Sequence, residues 1–381
     1  MNNSVVILCA GLAGFAVARE LRKLDKQVPI RIVTADAGDF YSKPNLSNAL
    51  GWGKTPAQLV ATQRAAIAAQ LGIEIADHIR AGGLLTADQA LATNDGSIGY
   101  GKLVLAIGAQ PIRLPLEGSG AADVLSVNHL DDYAVFRQRL EGRRRVAILG
   151  AGLIGCEFAN DLAGAGYEVD VFDLAPQPLG RLLPAAAGAF FRRGLEAVGV
   201  RFHFEASIGR VDKAEGGYIL LDLKGRSFAA DLVLSAIGLR PETALARKAG
   251  LEANRGIVVD RMLATSDAAV FAVGDCAEVQ GQVLPFVMPI MQQARALART
   301  LAGTPTPVSY PAMPVVVKTP ACPAVVCPPP PAVAGAWREE STADGVRALY
   351  EDAAGKPAGF ALVGAAAAEK QALAPKMPAW L

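Results

Sequence analysis

The chain's 381 residues exceed what one hydrophobic core ordinarily organises and call for two or three domains. Its 37 Lys and Arg against 36 Asp and Glu leave it almost neutral, which gives no basis for a nucleic-acid partner or an anionic membrane surface. Although 52% of the residues are hydrophobic, much of that share is alanine, and no apolar run reaches the roughly 18–20 residues of a membrane span. Residues 1–4 place no basic side chain ahead of the apolar Val5–Leu8 run, which argues against a cleavable export leader. The five cysteines are scattered without a C-x-x-C pair and suit a reducing compartment, so a cytoplasmic protein is expected. Arg143-Arg144-Arg145 and Arg192-Arg193 read as solvated turn or helix faces.

In chain order, the first unit opens with the strand Val5–Leu8, a turn, Cys9-Ala10-Gly11-Leu12-Ala13-Gly14, and a helix over Phe15–Leu24. A strand that feeds a helix through such a turn aims backbone N–H groups at a pyrophosphate. A second strand, Ile30–Thr34, leads to Asp36, 22 residues beyond Gly14, where a carboxylate that binds an adenosine ribose hydroxyl belongs. A helical stretch over 58–71 follows. The apolar strand Lys102–Ala109 then ends at Pro111 and Pro115, which mark a crossover out of the unit.

The pattern then repeats. Val146–Leu149 precedes Gly150-Ala151-Gly152-Leu153-Ile154-Gly155, a helix over Cys156–Ala165 and a strand over Glu168–Phe172 that ends in Asp173. One G-x-G-x-x-G turn is weak evidence, but two with matching flanks point to two bound dinucleotides and to electrons passing between them. A carboxylate at Asp173 accepts from an adenosine 2′-hydroxyl and repels a 2′-phosphate, so NADH is expected over NADPH, with Arg181 held elsewhere by Pro176 and Pro178. The strand Asp231–Ile237 leaves through Gly238-Leu239-Arg240-Pro241 and echoes the earlier exit at Gly108-Ala109-Gln110-Pro111. A strand running into Gly274-Asp275 and a helix over Met288–Leu301 follow, and the Pro-rich stretch 304–311 marks a boundary. Short β-like runs at 315–318, 347–350 and 358–363, with a final helix over 364–373, make a small α+β domain.

The two turns, the exits at 106–111 and 236–241, and Ala-Val-Gly-Asp-Cys-Ala at 272–277 together resemble the flavoprotein pyridine-nucleotide reductases built like glutathione reductase. The resemblance covers nearly the whole chain and implies an α/β fold with two Rossmann-like domains and a small C-terminal domain. It implies an FAD-binding domain at 1–111 and 238–308, an inserted NAD-binding domain at 112–237 and a C-terminal domain at 309–381. For FAD it implies Gly11, Leu12, Ala13, Gly14, Thr34, Asp36, Ser42, Lys43, Ala81, Ala106, Glu157, Asp275, Val287 and Lys318, with Asp275 on the ribityl chain. For NADH it implies Gly150, Gly152, Leu153, Ile154, Gly155, Asp173 and Gly238.

Disulfide reductases of this fold carry two cysteines where this chain has Tyr41-Ser42-Lys43-Pro44-Asn45-Leu46-Ser47, and no cysteine stands between Cys9 and Cys156. A flavin-to-thiol relay is thereby excluded. With Asn-Arg-Gly-Ile-Val-Val-Asp at 254–260 and Val-Lys-Thr-Pro-Ala-Cys-Pro at 317–323, the pattern most resembles the rubredoxin-reductase branch among reductases of one-electron carriers. This implies electrons passing from NADH through FAD to rubredoxin, a small acidic iron protein, in a monomer. Reductases of ferredoxin or flavorubredoxin, and non-enzymatic NADH-sensing flavoproteins like the apoptosis-inducing ones, are the alternatives. Lys43 beside the flavin N5, paired with Glu157, is the implied catalytic group, because a buried lysine without a partner is costly. Lys318 is implied at the flavin's pyrimidine edge. Cys9 replaces the first glycine of its turn, so a tolerated positive φ or altered packing is expected. Cys322 and Cys327 are expected as free thiols.

Overall fold

The computed structural model describes residues 4–381, so residues 1–3 of the segment weighed against an export leader lie outside the described residues. Its helices in chain order are α1 (Leu12–Leu24), α2 (Arg64–Leu71), α3 (Leu130–Leu140), α4 (Leu153–Gly164), α5 (Ala185–Glu196), α6 (Ala244–Lys248), α7 (Val287–Leu301) and α8 (Lys370–Leu373). Among the described residues no helix is long and apolar enough to cross a membrane, and all five cysteines are free.

Val5–Leu8 is buried along its whole length, as befits a strand covered on both faces. It sits at the centre of a parallel sheet ordered 270–272, 102–105, 5–8, 30–33 and 74–76. α1 buries Phe15, Val17 and Leu21 in this unit's core, to which α7 adds Ile290, Ala294 and Leu297. A second parallel sheet, ordered 200–204, 168–173, 145–149 and 232–235, winds outward from its first strand in the same way. Each glycine turn therefore leaves the carboxyl end of the first strand of its unit, where such sheets bind ligands. The two similar exits pair with each other: Ala109–Pro111 lies antiparallel to Leu239–Pro241.

The third sheet is antiparallel, ordered 315–317, 324–327, 357–364, 345–352 and 335–341. Alternation divides its faces. Val346, Ala348, Ala361 and Val363 join one core with Ile148 and Val171 of the second sheet and Phe191 of α5. Leu349, Phe360 and Leu362 pack with Leu373 and Met377 on the other side.

Several expected elements take a different form. The stretch 58–71 is a 3₁₀ turn (Ala57–Leu59), a strand (Val60–Thr62) paired with Phe40–Tyr41, and only then α2; β-branched Val60 and Thr62 favour the extended run. The strand over 102–109 stops at Leu105, because Gly108, with φ +69°, turns the chain into the exit ladder. The final helix is mostly 3₁₀ (Ala365–Glu369 and Ala374–Lys376) around the four-residue α8, with Pro375 barring its extension. Both nucleotide helices start earlier than expected, at Leu12 and Leu153, which places Gly14 and Gly155 inside their first turns.

Candidate functional site

The two glycine turns open into one continuous cavity of about 1980 Å³. That is about twice the ~1,000 Å³ upper end of a single small-molecule site, room enough for two ligands. Of the residues implied for the first dinucleotide, Gly11, Leu12, Ala13, Thr34, Asp36, Lys43, Ala81, Ala106, Glu157, Asp275, Val287 and Lys318 line it. Of those implied for the second, Gly150, Gly152, Leu153, Ile154, Asp173 and Gly238 do so.

Gly14, Gly155 and Ser42 are not among the cavity's lining residues. The two glycines serve packing. A Cβ on Gly14 would collide with the Cys9 carbonyl oxygen, and one on Gly155 with that of Gly150, so only glycine lets each helix sit this close to its strand. Ser42 stands just before a 3₁₀ turn, Lys43–Asn48, in which Lys43, Pro44, Leu46 and Ser47 face the cavity.

The first turn's Cys9 adopts φ +92°, close to the +106° of Gly150 at the matching position. A non-glycine residue in that region costs of the order of 1 kcal/mol. Burial pushes the Cys9 thiol up, away from the reactive thiolate. Cys9→Gly is therefore expected to keep FAD and to raise stability by up to about 1 kcal/mol; a loss of bound flavin in that variant would contradict a purely structural Cys9.

Neither α1 nor α4 has a side-chain cap: their N-cap residues are Gly11 and Gly152. Their first-turn N–H groups are thus left for an anion, the requirement of a pyrophosphate at each turn. Asp36 receives Thr34 Oγ1 at 2.7 Å and Gly38 N at 2.9 Å, both on Oδ1. Gly274, with φ +79°, approaches α1 so closely that a Cβ there would lie 2.9 Å from Ala13 Cβ. This approach sets Asp275 beside the first turn. The buried Gln293, overlooked in the sequence, fixes the turn by accepting from Gly274 N at 2.6 Å while donating to Tyr310 Oη at 2.7 Å.

Asp275 Oδ1 is buried without a hydrogen-bond partner. Leaving a buried carboxylate oxygen unsatisfied is expensive, and a ribityl hydroxyl would satisfy it. Burial pushes the Asp275 carboxyl up, opposed by Lys43, and pushes the Lys43 ammonium down, opposed chiefly by Asp275. Buried Ser126 and Ser235 hydroxyls, also lacking partners, line the same cavity. The residues present therefore fit FAD at the first turn and a second dinucleotide at the other.

The expected Lys43–Glu157 pair does not form. Lys43 Nζ donates to Asn128 Oδ1 at 2.7 Å, whereas Glu157, with no exposed surface, is ion-paired to Lys318 Nζ. Glu157 also accepts from Lys318 N at 2.9 Å and from Ser47 Oγ at 2.5 Å. The cause is the 3₁₀ turn: Lys43, at its start, reaches the interdomain crossover, while Ser47, one turn on, faces α4. Asn48 Nδ2 completes the cluster by donating to the Lys318 carbonyl at 2.7 Å. Asn128 and Asn48 carried no motif, and Ser47 closes the Tyr41–Ser47 segment but was given no role of its own.

One turn beyond Glu157, Asp161 accepts from Leu50 N at 3.0 Å and Gly51 N at 2.8 Å, tying the 50–51 loop to α4. Burial pushes its carboxyl up to about 6, against an ordinary 3.8. Since the folded value lies above the unfolded one, its contribution to stability is complete below about pH 4 and is lost as pH rises through about 6. Asp161→Asn removes this titration. Between pH 4 and 7 the wild type should lose on the order of 2–3 kcal/mol relative to the variant, read from urea midpoints. Parallel profiles would contradict it.

At the second turn, Asp173 Oδ2 accepts from Ala151 N at 2.5 Å and Oδ1 from Ala175 N at 2.7 Å, so the carboxylate braces the glycine turn as well as facing the cavity. Leu179 N donates to Ala151 O at 2.8 Å and folds the following loop back onto that turn. The loop brings exposed Arg181 to the cavity wall, against the expectation that Pro176 and Pro178 hold it elsewhere.

Comparison with known proteins agrees with this geometry. The family model described as pyridine nucleotide-disulphide oxidoreductase matches residues 3–299, and the one described as rubredoxin binding C-terminal domain matches residues 307–377. A rubredoxin-NAD(+) reductase of Alcanivorax borkumensis is 46% identical over 98% of each chain, and one of Acinetobacter baylyi is 45% identical over 96% of this chain and 95% of its own. The crystal structure of a ferredoxin reductase from Rhodopseudomonas palustris superposes with a TM-score of 0.87 at 29% identity, covering 95% of this chain and 91% of that one. The chain thus belongs to the pyridine nucleotide-disulphide oxidoreductase family, with a C-terminal domain of the rubredoxin-binding kind.

Proposed function

We infer that this chain is an NADH-dependent FAD flavoprotein that passes electrons to rubredoxin, acting as a soluble cytoplasmic monomer. The observation that carries the reading is the shared cavity wall: Met313, Pro314, Val315, Val316 and Lys318, from the segment matched by the rubredoxin-binding model, line the cavity that both glycine turns open into. The names of the 45–46% identical relatives support rubredoxin as acceptor. FAD assigned to 1–111 and 238–308, NADH to 112–237 and acceptor docking to 309–381 accord with the separate sheets.

Bound FAD supplies the step between a two-electron donor and a one-electron acceptor. The protein's own groups hold and tune it. The N-termini of α1 and α4 bind the pyrophosphates, and Asp275 orients the first cofactor. Lys43, kept in place by Asn128, sets a positive charge in the cavity that favours added electron density nearby. Glu157 holds Lys318, and with it the start of the C-terminal segment, against the cavity wall. With no cysteine between Cys9 and Cys156, no thiol relay intervenes.

Anaerobic titration with NADH tests this reading. Purified protein should carry visible flavin bands that one equivalent of NADH bleaches. Protein that stays colourless after incubation with FAD would end it.

A further inference from the structure

The C-terminal sheet makes polar contacts with the second dinucleotide unit that the proposed electron path leaves unused. Its strand Gly335–Ser341 carries Glu339, whose carboxylate accepts from Ala186 N at 3.2 Å and Ala187 N at 2.9 Å. These are first-turn amides of α5. The helix has no cap of its own, since Pro184 precedes it and no acidic residue stands in its first turn. First-turn N–H groups lack acceptors within a helix, and a carboxylate there both bonds them and complements the helix dipole. A neighbouring domain therefore supplies the cap.

The segment entering α5 belongs to the nucleotide cavity, which Leu174, Ala175, Gln177, Leu179 and Arg181 line. One end is tied to the glycine turn through Leu179 N and Ala151 O. The other is tied to α5: Gln177 Nε2 donates to Leu183 O at 2.8 Å, and a Cβ on Gly188 of α5 would lie 2.6 Å from the Gln177 side chain. From Ala151 to Glu339 the contacts are continuous.

We propose that Glu339 is a positioning residue for NADH: by capping α5 from the C-terminal domain, it holds the 174–183 segment in its nucleotide-binding shape. The proposal rests on the assignment of NADH to the second glycine turn. Without the cap the first turn of α5 frays, the binding shape is populated only in part, and apparent affinity falls by that fraction. The loss is bounded by the worth of an N-cap, roughly fivefold in an equilibrium constant. The flavin site, built on α1, is served by other segments.

The test compares wild-type, Glu339→Ala, Glu339→Gln and Asp173→Ala holoproteins by calorimetric titration with NAD⁺ and by hydrogen exchange over 174–190. Glu339→Ala should weaken NAD⁺ roughly fivefold and Glu339→Gln, with one acceptor oxygen and no charge, about twofold. Exchange at 185–188 should quicken in both, while flavin content and kcat at saturating NADH stay at wild-type values. Should Glu339→Ala fail to fold, the Gln variant carries the comparison. Wild-type NAD⁺ affinity in Glu339 variants, while Asp173→Ala binds weakly, would overturn the positioning role alone. Unchanged affinity in Asp173→Ala would instead remove the NADH assignment beneath it.

Discussion

Lys318→Met is expected to lower stability by about 3–5 kcal/mol, the usual cost of leaving one member of a buried ion pair alone. Glu157 has no exposed surface, and its carboxylate would keep only the Ser47 hydroxyl and the backbone N–H of residue 318. The Lys318 side chain is itself mostly covered, 28% exposed, so solvent screens the pair little. The double variant Glu157→Leu/Lys318→Met should recover most of the loss, because an apolar pair of similar volume replaces both charges. It should not recover acceptor reduction, since the cavity wall has lost the Lys318 ammonium at the start of the C-terminal segment. A urea series on the three proteins reads the coupling. Stability of the single variant equal to wild type, or a double variant no better than the single, would show that the pair does not bind the C-terminal segment to α4.

Asp275→Ala is the second large effect. The carboxylate is buried with one oxygen unpartnered, so its hydrogen-bonding capacity is kept for a bound group rather than for the fold. Removing a charged hydrogen-bond partner costs about 1.5–3 kcal/mol, which is about a 10- to 100-fold weaker hold on FAD. The flavin-to-protein absorbance ratio after extensive dialysis measures it. Because the side chain is not used to hold its own turn, which Gln293 fixes through Gly274 N, the apoprotein should remain folded. Full flavin retention in Asp275→Ala would remove Asp275 from the cofactor site.

Much of the fold was legible because local signals agreed. Val5–Leu8 and Val146–Leu149 are uniform apolar runs, and the glycines that follow them admit only a close strand-to-helix turn. The antiparallel ribbons were not legible: strands 81–85, 90–93 and 96–99, and 208–214, 217–222 and 227–230, pair through short turns in sequence that lacks clean alternation. Ala81-Gly82-Gly83 carries almost no side-chain signal. The final alanine run had helical composition, yet Pro375 and the neighbouring sheet confined it to 3₁₀ turns.

At the site, residue types were readable and partnerships were not. Lys43, Glu157 and Lys318 were all singled out, but Glu157 meets Lys318 across 161 positions and Lys43 meets Asn128 across 85. Such pairings depend on how the C-terminal sheet and the crossover pack, which no local spacing encodes. Asp275 faces the cavity through a short-range device, the close approach of Gly274 to α1.

The central claim is that electrons leave this cavity for rubredoxin without a thiol relay. Stopped-flow mixing of the NADH-reduced protein with rubredoxin, ferredoxin or oxygen tests it most directly. The account predicts that rubredoxin restores the flavin absorbance fastest, and that the rate falls as ionic strength rises, as for an acidic carrier steered toward exposed basic side chains such as Arg181 and Lys248 at the cavity wall. Reoxidation by rubredoxin no faster than by oxygen would contradict it.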